Sequence, residues 1–204
     1  SATSYRNHIS SPSVVIHGGE VYMYFHGVHE SGSQPTALAT SKDGLHFEQR
    51  IFPIIGTHPN RRNHWYGQSV SYVRVVKDGP MFIGTFQGNG RGHNEQANGV
   101  TTVSGLAMSE DGIHWRLSKR PLLGNKPGSR GPFASVLVRL WGRWLMLFNE
   151  DGGLSGAVSE GSDVAGPYEH IGQVIETAHW PFPLFHEGKL YLLCAGINAF
   201  VVEW

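Results

Sequence analysis

The chain has 204 residues, a formal net charge of zero and only 16% charged residues, so it has no basic surface that could hold nucleic acid or an anionic membrane by electrostatics. The 27 glycines and 11 prolines are scattered along the sequence and leave little room for long helices, which favours short strands and turns. The single Cys194 excludes an internal disulfide, and no apolar run approaches the roughly 18 residues of a membrane span. Because residues 1–30 lack a signal-peptide pattern, we expect a soluble protein, either cytoplasmic or secreted with a signal outside this chain.

The first predicted elements form a hairpin and a tighter turn that recur along the chain. "SVVIHGGEVYMYF" at 13–25 gives two alternating strands around Gly-Gly, and "SKDGLHFE" at 41–48 follows with an Asp-Gly turn. The second motif returns as "SEDGIHWR" at 109–116, with Ser, Asp-Gly, an aliphatic residue, His and an aromatic residue in the same order. A degraded copy is "SEGSDVAGPYE" at 159–169. The sequence therefore contains an internal repeat.

A longer apolar hairpin precedes each later copy of the turn. These hairpins are "SVSYVRVVKDGPMFIGTF" at 69–86 and "ASVLVRLWGRWLMLF" at 134–148, and a fourth, "WPFPLFHEGKLYLLCAG" at 180–196, has only "INAFVVEW" after it. Each unit supplies about four antiparallel strands, which is typical of β-propeller blades of about 40–50 residues. A β-sandwich is the alternative fold, but it does not predict the same turn at the same point of successive units.

The predicted fold is thus an all-β propeller that occupies residues 1–204 as a single domain. The four visible blades are predicted at about 8–50, 64–118, 130–170 and 175–204. The last blade is one strand short, so either residues 1–7 close the ring or the chain is an incomplete ring from a five-bladed parent. Trp141, Trp144, Phe185 and Tyr191 are expected in the core between blades.

Polar and aromatic side chains concentrate where predicted innermost strands begin or end. "HPNRRNHWYGQS" at 58–69 precedes one such strand, and its rings can stack on sugar faces while Arg, His and Gln bond to hydroxyls. "FNEDGG" at 148–153 places a carboxylate directly after an apolar strand, although Asp-Gly-Gly also suits a turn. The glycine-rich stretch at 86–99 is a poor phosphate-binding loop and is expected to be a lid or a contact between copies in a homo-oligomer.

The hairpins, the "S-x-DG-x-x-W/F" turns and "GPYE" together resemble the five-bladed propeller glycosidases of glycoside hydrolase families 43, 32, 117 and 130. This resemblance implies a carbohydrate substrate bound on the propeller axis and the hydrolysis of O-glycosyl bonds. It also implies catalytic carboxylates on the innermost strands, because glycoside cleavage needs one group to protonate the leaving oxygen and another to activate water or attack carbon.

The sequence departs from the family 43 pattern at each catalytic position. Ser11 precedes Pro12 where the general base Asp stands, Phe133 lies at the position of the Asp that tunes pKa, and His179 replaces the general acid Glu. Family 117 is associated with a histidine acid, and histidine can transfer protons near neutral pH. His179 and Glu150 are therefore the predicted catalytic residues.

The predicted function is a glycoside hydrolase, and the alternatives are a non-catalytic carbohydrate-binding propeller or part of a larger glycosidase. The predicted substrate-binding residues are His8, Ser11, Arg62, His64, Trp65, Gln68, Arg130 and Trp180. No protein metal cluster is predicted, because His26 and His29 are three residues apart on a strand and point to opposite faces. The resemblance to arabinan-cleaving members of family 43 implies an axial calcium ion.

Overall fold

The computed structural model describes residues 5–29, 31–60, 64–89, 95–96, 99–100, 102–124, 131–187, 189–195 and 199–202. These residues form an all-β structure, and none of them belongs to a helix with the length and hydrophobicity of a transmembrane segment. The strands form four antiparallel sheets in chain order and one short two-stranded ribbon. The predicted all-β propeller architecture is confirmed.

The first sheet consists of β1 (Tyr5–His17), β2 (Glu20–His29), β3 (Thr36–Ser41) and β4 (Glu48–Ile55), in that order. The next strands are β5 (Ser69–Asp78), β6 (Met81–Asn89), β7 (Glu95–Gln96), β8 (Gly99–Val100), β9 (Val103–Ser109) and β10 (Arg116–Leu117). The second sheet has the order β10-β9-β6-β5, while β7 and β8 pair with each other.

The third sheet consists of β11 (Phe133–Leu140), β12 (Arg143–Glu150), β13 (Gly153–Ser159) and β14 (Tyr168–Ile175). The fourth consists of β15 (His179–His186), β16 (Lys189–Ala195) and β17 (Ala199–Val202), so it has three strands in the described residues. Of the first seven residues, the described ones extend β1, and Tyr5 pairs with His29 of β2. Residues 5–7 therefore belong to the first blade and not to the fourth.

The repeated turns connect the third and fourth strands of the first three sheets, as a blade repeat requires. In the first sheet Ser41 Oγ accepts from the backbone N–H of Gly44 at 2.9 Å, and Asp43 Oδ1 accepts from Leu45 N–H at 2.8 Å. The backbone N–H and the ring of His46 also bond to Asp43, and these hydrogen bonds hold the pKa of its carboxyl below its usual range. The copy at 109–116 repeats these contacts residue for residue.

The first strand of each sheet carries a β-bulge near its beginning. The bulges coincide with four non-glycine residues of positive φ: Ser11 at 59°, Tyr72 at 53°, Ala134 at 50° and Trp180 at 58°. A bulge adds one residue to one strand of the pair, redirects the side chains around it and leaves backbone groups without ladder partners. β1, β5, β11 and β15 lie side by side around the propeller axis, and the bulges mark one end of that axis. We call this end the upper end.

Buried hydroxyls of neighbouring blades satisfy the backbone groups near these bulges. Ser13 Oγ in β1 accepts from the N–H of Val75 in β5 at 2.9 Å. Between the second and third sheets, Thr85 Oγ1 donates to the carbonyl of Ser135, which follows the bulge residue of β11. Because a buried polar group without a partner costs stability, these serine and threonine side chains hold the blades in register.

Trp65 illustrates how the sheets depend on small residues. Its indole ring is only 8% exposed and stacks on Phe86, with ring centroids 5.4 Å apart and planes 12° apart. A Cβ atom added to Gly88 or Gly105 would approach Trp65 ring atoms to 2.5 Å. Trp65 is therefore a core side chain that lies flat on two glycines.

We expect Gly105→Ala to lower the free energy of unfolding by about 1–3 kcal/mol, because the added methyl group overpacks the Trp65–Phe86 stack. Gly124→Ala is the matched control, since a Cβ atom there has no neighbour within 4 Å and its expected effect is within about 0.5 kcal/mol. Urea unfolding followed by tryptophan fluorescence measures both variants. Equal midpoints for the two would contradict the packing role of Gly105.

Two of the residues expected between blades lie on the surface instead. Trp144 is 3% exposed, as predicted, but Trp141 is 76% exposed because it occupies the β11–β12 turn with a φ of 49°. Phe185 is 55% exposed on β15. Other apolar side chains of the first and fourth sheets also remain exposed, namely Val14, Ile16, Leu184 and Leu193.

Candidate functional site

Five rings from all four blades meet at the upper end of the axis. We call His8, His26, Tyr72, Phe133 and Trp180 the axial aromatic cluster. Tyr72 lies at its centre, with ring centroids 4.5 Å from His26, 4.6 Å from Phe133 and 5.3 Å from Trp180. Tyr72 and Trp180 are themselves bulge residues, and Phe133 precedes one. The bulges thus bring aromatic side chains of separate blades together.

Two polar residues at this end of the axis are buried: His26 of the cluster, and Arg74, two residues after Tyr72 on β5. His26 is 1% exposed, and burial, followed by the positive charges of His8 and Arg74, lowers its pKa to about 4. Arg74 is 7% exposed, and burial lowers the pKa of its guanidinium. Its Nη1 donates to the carbonyl of Ser11 at 3.0 Å, which links β5 to β1.

A cavity of about 330 Å³ opens at the upper end between the second and third blades. Phe133 forms one wall, and Gln87, Asn149 and Glu150 supply polar groups. Glu150 is 7% exposed, and Gln87 Oε1 is buried without a hydrogen-bond partner among the described residues. The cavity therefore combines an aromatic wall, a buried carboxylate and an amide oxygen that can accept a hydrogen bond.

Asn149 connects this cavity to the fourth blade. Its Nδ2 donates to His179 Nδ1 at 3.1 Å, and its Oδ1 accepts from the backbone N–H of Trp180 at 3.0 Å. The first of these bonds makes Nδ1 the acceptor nitrogen of His179. In the neutral ring the proton is therefore on Nε2.

The two predicted catalytic residues lie on opposite sides of the third sheet. Successive side chains of a strand alternate between faces, and on β12 Phe148 packs towards the second blade while Leu147 packs towards the fourth. Glu150 therefore shares the side of Phe148, whereas Asn149 and its partner His179 are on the other side. The structure does not place Glu150 and His179 as a facing pair, and their catalytic roles stay predictions.

Three of the other predicted binding residues, His8, Ser11 and Trp180, are described and lie at the upper end. His8 is exposed at the edge of the axial aromatic cluster, 5.6 Å from His26 between ring centroids. Ser11 Oγ bonds to Ser10 Oγ at 2.9 Å. Trp180 belongs to the cluster, while Arg62 and Arg130 lie outside the described residues.

The segment before β5 forms a rim that is separate from the cluster. His64 stacks on His58 with ring centroids 3.8 Å apart and meets Tyr66 edge-on. Gln68 is half-buried, and its backbone bonds to Asn89 and Gln34. Trp65 lies in the core, 8% exposed, and its role in substrate binding stays a prediction.

Sequence reasoning missed Tyr72, Arg74, Gln87 and Asn149, and it considered His26 only as a metal ligand. In "SVSYVRVV" the alternation of apolar and polar residues shifts at Tyr72, which is the signal of the bulge. No three His, Cys, Asp or Glu side chains of the described residues are grouped in a way that could hold a metal ion. The axial groups do not fit calcium, because Ca²⁺ requires several oxygen ligands and the buried groups here are an imidazole and a guanidinium.

No protein-family model matches the chain, and a comparison with curated protein sequences finds no match. Solved structures do match. A thermostable family-43 glycoside hydrolase is 16% identical over 90% of this chain and 64% of its own, with a TM-score of 0.69. A family-32 β-fructofuranosidase of Bombyx mori, a mutant in complex with sucrose, is 16% identical over 91% of this chain and 43% of its own, with a TM-score of 0.64.

This chain has the fold of the β-propeller glycoside hydrolases. A third structure extends the likeness to family 130, described as mannoside phosphorylases that contain glycoside hydrolases acting on β-1,2-mannosidic linkages in Candida mannan. It is 15% identical over 90% of this chain and 59% of its own, with a TM-score of 0.62. The chain thus spans less than two thirds of each of these three propeller structures. At these identities the likeness concerns the fold, and the chemistry of this propeller must be argued from its own residues.

Proposed function

We propose that this propeller binds carbohydrate in the upper cavity and acts there as a glycoside hydrolase. The observation that carries the proposal is the composition of the cavity, which Phe133, Glu150, Gln87 and Asn149 line together. A sugar presents an apolar face that stacks on an aromatic ring and a rim of hydroxyls that bond to carboxylate and amide groups. The propeller glycosidase fold supports the same substrate class.

In this proposal Glu150 is the acid that protonates the leaving glycosidic oxygen. Glu150 is 7% exposed and lines the cavity, so a bound sugar would displace the remaining water around it. His179, whose ring Asn149 orients on the other side of the third sheet, is the alternative proton-transfer group, through Nε2. Cleavage with inversion would use one group to activate water, and cleavage with retention would use a nucleophile close to the acid.

Carbohydrate binding without hydrolysis is the second candidate function. Two observations favour it: Ser11 stands where the family 43 pattern has its base, and Glu150 and His179 lie on opposite sides of the third sheet. The two candidates share the same cavity but differ in turnover. Measuring binding and sugar release on one panel of oligosaccharides, with the full-length protein, separates them.

We expect Phe133→Ala to weaken oligosaccharide binding about tenfold, because the wall of the cavity loses its stacking surface. Trp141→Ala is the control, since Trp141 is an exposed aromatic residue in the β11–β12 turn, away from the cavity. Isothermal titration calorimetry of wild type and both variants against the same oligosaccharide gives the comparison. Unchanged affinity in Phe133→Ala would place the sugar elsewhere.

A further inference from the structure

One ring of the axial aromatic cluster, that of Phe133, also lines the upper cavity. All five members of the cluster lie in the described part of the chain, and the other four are not part of the cavity lining. Phe133 is half-buried, because it packs against the cluster and borders the open space of the cavity. It is therefore the residue at which the cavity and the axial cluster meet.

The rings of Tyr72 and Trp180 pack directly against Phe133. The centroid of the Phe133 ring is 4.6 Å from that of Tyr72 and 4.8 Å from that of Trp180, with interplanar angles of 54° and 72°. Tyr72 and Trp180 also contact each other, with centroids 5.3 Å apart. Such distances are those of direct ring contact. The three rings therefore leave no space for a ligand between them.

Asn149 provides a second connection between the cavity wall and Trp180. Asn149 is the strand partner of Phe133 and lines the cavity as well. Its Oδ1 accepts from the backbone N–H of Trp180 at 3.0 Å, which holds the beginning of β15 against this wall. Two neighbouring residues of the wall thus contact Trp180, one through its ring and one through a hydrogen bond. Trp180 lies directly behind the wall.

The cavity in front of this wall is small. Its volume of about 330 Å³ is close to the lower limit of small-molecule sites, which span about 300–1,000 Å³. This size suits the terminal unit of a sugar chain. A large substituent on the side of Phe133 would not fit, because the ring is already in contact with Tyr72 and Trp180. Removal of the Phe133 ring would join the cavity to the aromatic surface behind it.

We propose that Phe133 determines the specificity of the upper cavity, as a partition that keeps bulky groups away from the rings of Tyr72 and Trp180. The corresponding substrate is the end of a sugar chain whose terminal unit has no large substituent on the side of Phe133. This inference rests on the proposed carbohydrate-binding function. The resemblance to family 43 implies a pKa-tuning aspartate at this position, whereas phenylalanine has no charge and acts through its shape and its stacking surface.

A benzyl group on the ligand tests the partition, because it can replace the ring that Phe133→Ala removes. Methyl and benzyl glycosides of galactose, mannose, xylose and arabinose are titrated into wild type, Phe133→Ala and Phe133→Tyr by calorimetry. We expect wild type to bind the benzyl and methyl glycosides of one sugar about equally. Phe133→Ala is expected to prefer the benzyl glycoside at least about tenfold, since it buries the phenyl ring against Tyr72 and Trp180. Phe133→Tyr keeps a ring and should restore the wild-type pattern.

Trp180→Ala identifies the surface that receives the benzyl group. Combined with Phe133→Ala, it is expected to remove most of the preference for the benzyl glycoside, because the phenyl ring loses a stacking partner. Trp141→Ala in the same Phe133→Ala background is the matched control, since it removes an exposed tryptophan of the β11–β12 turn. This control should leave the preference unchanged.

Toluene provides a test that needs no sugar. Toluene has the shape of the deleted phenylalanine side chain, and apolar cavities bind molecules of this kind. It is therefore expected to raise the thermal midpoint of Phe133→Ala and to leave that of wild type unchanged, because a ligand that binds only the folded state stabilises it. An equal response of both proteins contradicts the partition.

The proposal is overturned if Phe133→Ala shows no preference for benzyl glycosides or if Trp180→Ala leaves that preference intact. A wild type that already prefers benzyl glycosides as strongly as Phe133→Ala overturns it as well. If no glycoside binds to either protein, the carbohydrate function fails and the specificity role fails with it. Stabilisation of Phe133→Ala by toluene would still show that Phe133 separates the cavity from Trp180, so the two failures are distinguishable.

Discussion

Glu150→Gln is expected to reduce kcat/KM for oligosaccharide cleavage by about a thousandfold while changing oligosaccharide affinity only a few-fold. Glutamine keeps an acceptor oxygen in the cavity beside Phe133, but it cannot donate the proton that the leaving oxygen needs. General acid catalysis contributes typically 10²–10⁴-fold, which sets the size of the loss. Initial rates on the oligosaccharide that the wild type cleaves best provide the measurement.

Substrates with different leaving groups test the acid role of Glu150 more directly. Aryl glycosides with acidic phenols leave without protonation, so Glu150→Gln is expected to cleave them at nearly the wild-type rate. Glu169→Gln, which changes an exposed glutamate on β14, is the matched control and is expected to match wild type on both substrates. Equal losses on aryl glycosides and oligosaccharides would show that Glu150 does not act as the acid, and wild-type binding without turnover would favour the binding propeller.

The blade repeats were predictable from sequence because their hydrogen bonds are local. Ser41 and Asp43 bond to backbone groups within three residues, and Ser109 and Asp111 repeat the pattern. A turn of this kind needs no distant partner, so its residues appear as a contiguous motif. Three copies of the motif were enough to predict the sheets that the structure contains.

The composition of the upper end was less predictable because β-bulges decide it. At each bulge the strand gains a residue, and the faces to which the following side chains point are exchanged. Alternation alone therefore assigns Tyr72 and Arg74 to the wrong side of β5. The burial of Trp65 was not predictable from the local sequence either, because its ring packs on Gly88 and Gly105, which belong to two different strands.

Tyr24 connects the first two blades of this propeller. Tyr24 of β2 is fully buried, and its hydroxyl donates to the carbonyl of Gly112 in the repeated turn of the second blade at 2.9 Å. Its ring meets Trp115 edge-on with centroids 5.5 Å apart. Burial raises the pKa of the Tyr24 phenol, so the hydroxyl stays a neutral donor throughout the usual pH range. One side chain thus joins the core of one blade to the turn of the next.

We expect Tyr24→Ala to lower the free energy of unfolding by about 3–5 kcal/mol, because it leaves a cavity between the two blades. Tyr24→Phe separates the hydroxyl from the ring and is expected to cost about 1 kcal/mol, since the Gly112 carbonyl still accepts from Trp115 Nε1 at 3.1 Å. Tyr191→Ala, which truncates a half-buried tyrosine of the fourth sheet, is the control and should cost less. Urea unfolding of the four proteins tests the ranking. A loss in Tyr24→Phe as large as that in Tyr24→Ala would assign the stability of the junction to the hydrogen bond and not to packing.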